Sequence, residues 1–188
     1  MRISQLLATL TLLTGTVVPA AAQQKLIATQ SELTFAAKQM GVPINGHFKK
    51  FDAQLSFDAA KLSNSKVTFS VDMGSGTLGA PEMDSELPKA PWFNAAKFPQ
   101  ATFASSTFKA LGAGKYEVAG QLTIKGQVRD VLVPLTLSQT GVITLASGVL
   151  PIKRLAFKVG DGDWADTSMV ADDVLVKFKF SLSGIGKL

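Results

Sequence analysis

The 188-residue chain contains no cysteine, a single histidine and a single tyrosine. Without cysteine, no disulfide braces the fold and no thiolate zinc site can form. With His47 alone, a histidine metal cluster is excluded. A serine-hydrolase triad would have to be built on that one residue, and no Gly-x-Ser-x-Gly elbow accompanies it. Charge is sparse as well, at 18% of residues. The basic excess, 19 Lys plus Arg against 14 Asp plus Glu, is scattered along the chain. Its one local grouping with an aromatic is Lys49-Lys50-Phe51. Nucleic acid asks for a dense basic stripe, so it is excluded as a partner, and a mild attraction to anionic lipid is the most this distribution supports. Beyond Val18 no apolar run is long enough to span a membrane.

The apolar run that does exist is N-terminal. Arg2 precedes it, it extends from Leu6 to Val18, and Pro19 leads into Ala20-Ala21-Ala22. It is too short and too rich in Thr and Gly for an anchor, and the small residues fit a cleavage site before Gln23. Residues 1–22 are therefore expected to be a bacterial export signal, with no following Cys to carry a lipid anchor. Residues 23–188 are expected to form one domain, large enough for a real core, in the periplasm or outside the cell.

What the chain has in abundance is a two-residue beat. Val174, Val176, Phe178, Phe180 and Leu182 alternate with Leu175, Lys177, Lys179 and Ser181. A strand sends successive side chains to opposite faces, so this segment has one apolar and one mainly polar face. Leu33–Ala37, Phe51–Phe57, Val67–Met73, Ala101–Ser105, Tyr116–Ile124 and Val131–Leu137 repeat the pattern, with Val142–Leu150 and Ile152–Val159 as weaker strands. Gly41-Val42-Pro43, Gly112-Ala113-Gly114 and Lys125-Gly126 read as turns. Pro134 marks an edge, a bulge or a bend. From Gly74 to Pro99 the beat stops. Four prolines surround Met83, Leu87, Trp92 and Phe93, which predicts a cap with a helical turn between Glu82 and Leu87. Gly160–Asp173 reads as a polar loop. No helix-length amphipathic run separates the strands, so an antiparallel barrel or sandwich is expected rather than a parallel α/β fold. The inward aromatics of such a barrel either fill it or line a pocket, and periodicity cannot distinguish the two.

Several ordered segments carry a resemblance. They are Leu33-Thr34-Phe35, Gly46-His47-Phe48, Phe98-Pro99-Gln100-Ala101-Thr102-Phe103, the run from Tyr116 to Gly126, Ile152-Lys153-Arg154-Leu155-Ala156-Phe157, Gly160-Asp161-Gly162-Asp163-Trp164 and Ala171-Asp172-Asp173-Val174. In this order they resemble the YceI-like family of bacterial periplasmic lipid-binding proteins. The resemblance implies an all-β, extended eight-stranded antiparallel lipocalin-like barrel with a short helical cap and a long apolar tunnel. It also implies a polyisoprenoid, isoprenoid quinone or related amphiphile as ligand. The cap departs from the family pattern: Glu82-Met83-Asp84-Ser85-Glu86-Leu87 lacks the basic positions, and Pro91-Trp92-Phe93 replaces Asp-Phe-Phe. A cationic clamp for a pyrophosphate is thus disfavoured relative to a neutral quinone or similar head group.

The expected tunnel lining is Phe35, Phe69, Val71, Met83, Leu87, Trp92, Phe93, Phe103, Tyr116, Val118, Phe178 and Phe180. His47 and Arg154 are the candidate head-group contacts. A lone histidine near a strand start is more often structural or solvated. Arg154, read in a strand beside Lys153, serves more readily in a fixed ion pair with an acid such as Asp163 or Asp173 than as a head-group contact. Asp161, Asp163, Asp166, Asp172 and Asp173 do not complete a calcium loop and read as turn caps. Gly74, Gly76 and Gly79 lack the Lys-Ser/Thr ending of a phosphate loop. No catalytic or metal set is assigned and no cofactor other than a bound lipid or quinone. The expected function is a non-enzymatic carrier. The alternatives are a barrel enzyme using His47 and the loop carboxylates, or an accessory protein of a membrane quinone or cytochrome system. Open barrel edges would permit a homodimer.

Overall fold

The computed structural model describes residues 23–188, and the expected export signal lies outside the described residues. The strands are β1 (Lys25–Leu26), β2 (Glu32–Gln39), β3 (Val42–Phe48), β4 (Phe51–Ser56), β5 (Lys66–Asp72), β6 (Gly76–Thr77), β7 (Gln100–Gly112), β8 (Lys115–Ile124), β9 (Gln127–Thr140), β10 (Ile143–Lys153) and β11 (Asp173–Ser183). A single-turn helix, α1 (Pro81–Asp84), lies in the expected cap, with proline in its first turn where a missing N–H costs nothing. The strands form one antiparallel sheet in the order β4-β5-β7-β8-β9-β10-β11-β2-β3-β6, with β1 added beside β11.

The sheet curls because its two sides belong to one stretch of chain. Only Lys49 and Lys50 separate β3 from β4, yet β3 pairs with β2 and β4 with β5. With β3–β4 counted as one bent strand and the two-residue β1 and β6 set aside, eight long strands remain. The Gln24 side-chain amide donates to the Phe57 carbonyl (2.9 Å) and accepts from the Phe57 N–H (2.6 Å), tying the segment before β1 to the end of β4.

Two strand assignments made from the sequence are corrected. Only Met40 and Gly41 turn the chain, both with positive φ, and Val42–Phe48 is a strand rather than the continuation of a turn. Pro43 survives there because β3 meets β6 only at His47 and Phe48, so one side of β3 is an edge at Pro43. The segments Val142–Leu150 and Ile152–Val159 are not two strands. Ile143–Lys153 is continuous and Arg154–Phe157 is a 3₁₀ turn. Pro151 is tolerated because pairing of β10 with β9 ends at Gly148 opposite Leu135, leaving β11 as the only neighbour beyond. Pro134 borders that same split, so it does mark an edge. The Arg154–Phe157 turn packs against β9 there, with Phe157 buried.

Because the strands alternate in direction, the connections fall at two ends. The cap end holds residues 73–99, the 125–126 turn and the 154–172 loop. The hairpin end holds the 57–65 connection, the 112–114 and 141–142 turns and both termini of the described chain. Buried residues form two clusters rather than one central core. Leu33, Val71, Met73 and Ala101 lie beneath the cap residues Phe93 and Ala95, while Tyr116, Leu137 and Ala146 lie toward the hairpin end. Phe180 packs against both clusters.

Candidate functional site: an apolar cavity inside the sheet

The alternation along β11 shows what lies between the clusters. Lys177 and Lys179 on the outer face are exposed, but Val174, Val176, Phe178 and Phe180 on the inner face are only half-buried. A filled barrel would bury them. They face a cavity of about 450 Å³ whose lining is almost wholly aliphatic and aromatic. That volume falls within the range of small-molecule sites, about 300–1,000 Å³.

All twelve residues expected along a tunnel line this cavity: Phe35, Phe69, Val71, Met83, Leu87, Trp92, Phe93, Phe103, Tyr116, Val118, Phe178 and Phe180. Phe69, Phe180 and Phe178 form a ladder of near-parallel rings, with centroids 4.8 and 5.1 Å apart. Phe57 meets Tyr116 edge-on at 5.5 Å. Space in the centre is kept by glycines in the wall. A Cβ on Gly46 would lie 2.3 Å from the ring tip of Phe35, its partner across β2 and β3. A Cβ on Gly148 would lie 2.5 Å from the ring of Phe178, its partner across β10 and β11. At both positions the ring lies against bare strand backbone as it lines the lumen, the arrangement by which aromatics cover strand glycines.

The cap end is fastened by two buried cations. Arg154 is 3% exposed. Its guanidinium donates to the carbonyls of Ala171 (3.1 Å), Val159 (2.9 Å), Gly160 (2.6 Å), Trp164 (2.7 Å) and Val170 (2.7 Å). Every donor is thus aimed at backbone of the 154–172 loop. Burial lowers its pKa from the ordinary value and the nearby Asp172 carboxylate opposes that effect. The fixed ion pair expected with Asp163 or Asp173 does not form, and Asp173 pairs with Lys153 instead (2.7 Å). Lys125 is 7% exposed and donates to the carbonyls of Pro91 (3.0 Å) and Lys158 (2.6 Å) and to the Asp161 carboxylate (3.2 Å). It therefore joins the β8–β9 turn, the cap and the loop. These contacts set Trp92 beside Trp164, ring centroids 5.3 Å apart, at the cavity wall. Gly160 is pinned between Arg154 and Trp92. Its φ is +67°, and a Cβ would meet the Arg154 Nη1 at 2.4 Å and Trp92 at 2.9 Å.

His47 is not part of this constellation. It sits on the exposed outer face of β3, in a shallow groove with Thr34, Asn45 and Lys177. The loop carboxylates are engaged separately: Asp166 accepts from the Ser168 N–H (2.8 Å) and Asp172 from the Leu155 N–H (2.9 Å). The Ser168 hydroxyl first, and then its N–H, hold the Asp166 carboxyl below its usual range. The structure does not bring His47 together with these groups or with the cavity.

A model of the YceI-like domain matches residues 25–182. The chain belongs to the YceI-like family. A UPF0312 protein of Vibrio cholerae is 33% identical over 104 residues, 55% of either chain, so this chain spans about half the length of the curated relatives it matches. The crystal structure of BcnA from Burkholderia cenocepacia is 44% identical, with a TM-score of 0.80 over 83% of this chain and 98% of that one. A polyisoprenoid-binding domain from Saccharophagus degradans shares the fold at 16% identity, with a TM-score of 0.70 over 86% of this chain and 98% of its own.

The cap of this YceI-like chain lacks the basic positions of the family pattern and is held by an acid. Asp84 Oδ2 accepts from the Thr77 hydroxyl (2.5 Å) and Oδ1 from the Leu78 N–H (2.6 Å), and these bonds hold its carboxyl below the usual range. Sequence reasoning did not name Trp164 or Val170 as cavity-lining residues, because Gly160–Asp173 read as a polar loop, nor Phe157, which lies in the Ile152–Val159 segment read as a weak strand. The tryptophan within that loop was the signal. Phe48 escapes sequence reasoning because no strand is legible between the Gly41-Val42-Pro43 turn and Phe51.

Proposed function

We propose that this protein is a non-enzymatic binding protein and carrier for a long-chain amphiphilic lipid, a polyisoprenoid or an isoprenoid quinone, acting in the periplasm after export. The observation that carries this reading is the set of inward side chains left half-buried around an apolar cavity. Each methylene moved from water into such a space contributes about 0.8 kcal/mol before ordering costs. The polyisoprenoid-binding domain that shares this fold supports the same class of ligand. Arg154 and Lys125, the buried cations of the cap end, spend their donors on backbone and Asp161, so neither is free to clamp a phosphate. That favours a head group without a pyrophosphate, such as a quinone. Export through residues 1–22 and a single mature domain over residues 23–188 complete the proposal.

The test is native mass spectrometry of the gently purified protein, followed by extraction and identification of the lipid. A stoichiometric isoprenoid adduct is expected. Repeated absence of any co-purified or added lipid would refute the reading.

A further inference from the structure

Nothing in the chain order brings the lysines together, but the fold does. The hairpin end gathers Lys25, Lys61, Lys66, Lys109, Lys115 and Lys187, all exposed, against three acids, Glu32, Asp58 and Glu117, with Glu32 opposite Lys179 across β2 and β11. Asp58 turns its carboxylate onto its own loop, accepting from the N–H groups of Ala60 and Lys61 (2.9 and 3.2 Å). Glu117 faces Lys109 across β7 and β8. None of the six lysines is in an ion pair among the described residues. The cap end is different: residues 38–41, 78–99, 125–130 and 153–173 hold nine acids against eight bases. The positive excess of the described chain therefore sits almost entirely at one end of the barrel. Within the lysine ring, the end of β7 and the 141–142 turn present bare apolar side chains, Leu111 (52% exposed) and Val142 (79% exposed). The cavity extends to this same end, where Leu26, Phe108 and Ile185 line it.

We propose that the hairpin end of the barrel docks on an anionic phospholipid surface. The lysines supply long-range attraction to acidic head groups, while Leu111 and Val142 enter the interface, the pairing of basic rim and apolar tip by which peripheral proteins hold a membrane. This deepens the carrier reading, and rests on it, by naming the surface at which the ligand is exchanged. It places the ligand's entry at the hairpin end, with the cap as the closed end.

The test measures partitioning of the purified protein onto vesicles of phosphatidylglycerol and phosphatidylethanolamine in equal parts, and onto vesicles of phosphatidylcholine alone. Binding to the anionic vesicles, weakened by salt, is expected. Each lysine near such a surface changes partitioning about fivefold, so Lys61→Gln/Lys109→Gln/Lys115→Gln loses about a hundredfold. Leu111→Asp/Val142→Asp also loses binding, and both sites are exposed, so thermal unfolding of these variants stays unchanged. Lys89→Gln/Lys97→Gln/Lys158→Gln, at the cap end, partitions like the parent protein. The proposal is overturned by equal binding to both vesicle types, by a hairpin-end variant that binds like the parent, or by an equal loss in the cap-end variant. Native mass spectrometry of the same samples keeps the two readings apart. A protein that docks but never holds lipid refutes the carrier, and a protein that holds lipid but does not dock refutes the docking surface.

Discussion

Replacing Gly46 by alanine tests whether the glycines of the wall keep the cavity open. The new methyl carbon would stand 2.3 Å from Phe35 Cζ and 2.7 Å from its two neighbouring ring carbons, and these three are its nearest atoms. Carbon atoms settle about 3.7 Å apart, so the ring tip must move by about 1.4 Å. No backbone lies among those three contacts, so the ring can yield, and the space open to it is the 450 Å³ cavity. If the ring swings inward, stability is kept and ligand space is lost. Displacing even two methylene contacts of a bound tail removes about 1.6 kcal/mol, more than a tenfold loss of affinity. If the ring instead stays in place, overpacking costs about 1–3 kcal/mol. The melting temperature then falls by about 2–4 °C for each kcal/mol. The assay is displacement of a fluorescent isoprenoid analogue, run beside thermal unfolding. The expected result is at least a tenfold loss of affinity with little change in melting. Adding Phe35→Leu, which takes the ring away, restores affinity. Wild-type affinity in Gly46→Ala, or a defect that Phe35→Leu does not relieve, would refute the argument.

Arg154→Lys should destabilise the protein by about 3 kcal/mol or more in urea unfolding, because an ammonium has three donors in the wrong geometry for the five carbonyls that Arg154 reaches; unfolding at the wild-type midpoint would contradict the role given to it. Asp84 has a folded pKa below its unfolded value, so its contribution is present above about pH 4 and is lost as pH falls through the lowered folded value. Asp84→Asn should therefore lower stability near neutral pH and flatten the acid limb of the stability curve, and an unchanged acid limb by thermal unfolding across pH would count against the Thr77–Asp84 contact. The chain's two tryptophans, Trp92 and Trp164, both line the cavity, so a quinone or brominated lipid bound there should quench most of the intrinsic fluorescence, whereas binding elsewhere would leave it.

The inner and outer faces of most strands were legible in the sequence because a strand's period is fixed by covalent geometry. Val174, Val176, Phe178 and Phe180 face the lumen for the same reason that they alternate with Lys177 and Lys179. Where proline and glycine interrupted the beat, the reading failed. Pro43 and Gly46 lie inside a strand that looks like a turn, and Pro151 lies inside one that looks like two. A proline is compatible with a strand when its ring nitrogen faces an unpaired edge, and edges are decided by neighbours far away in the chain.

The sequence alone determined that this chain is an all-β protein with an apolar interior and little catalytic or metal-binding chemistry, since strand periodicity and residue inventory are local properties. Only the tertiary structure decided that the interior is open. The same inward phenylalanines could close a core or line a cavity, and the outcome turns on whether Phe35 and Phe178 lie over glycines of adjacent strands. Arg154 likewise became a clamp for backbone through the folding of its loop. The lysines at positions 25, 61, 66, 109, 115 and 187 became one basic face because antiparallel strands return distant segments to the same end.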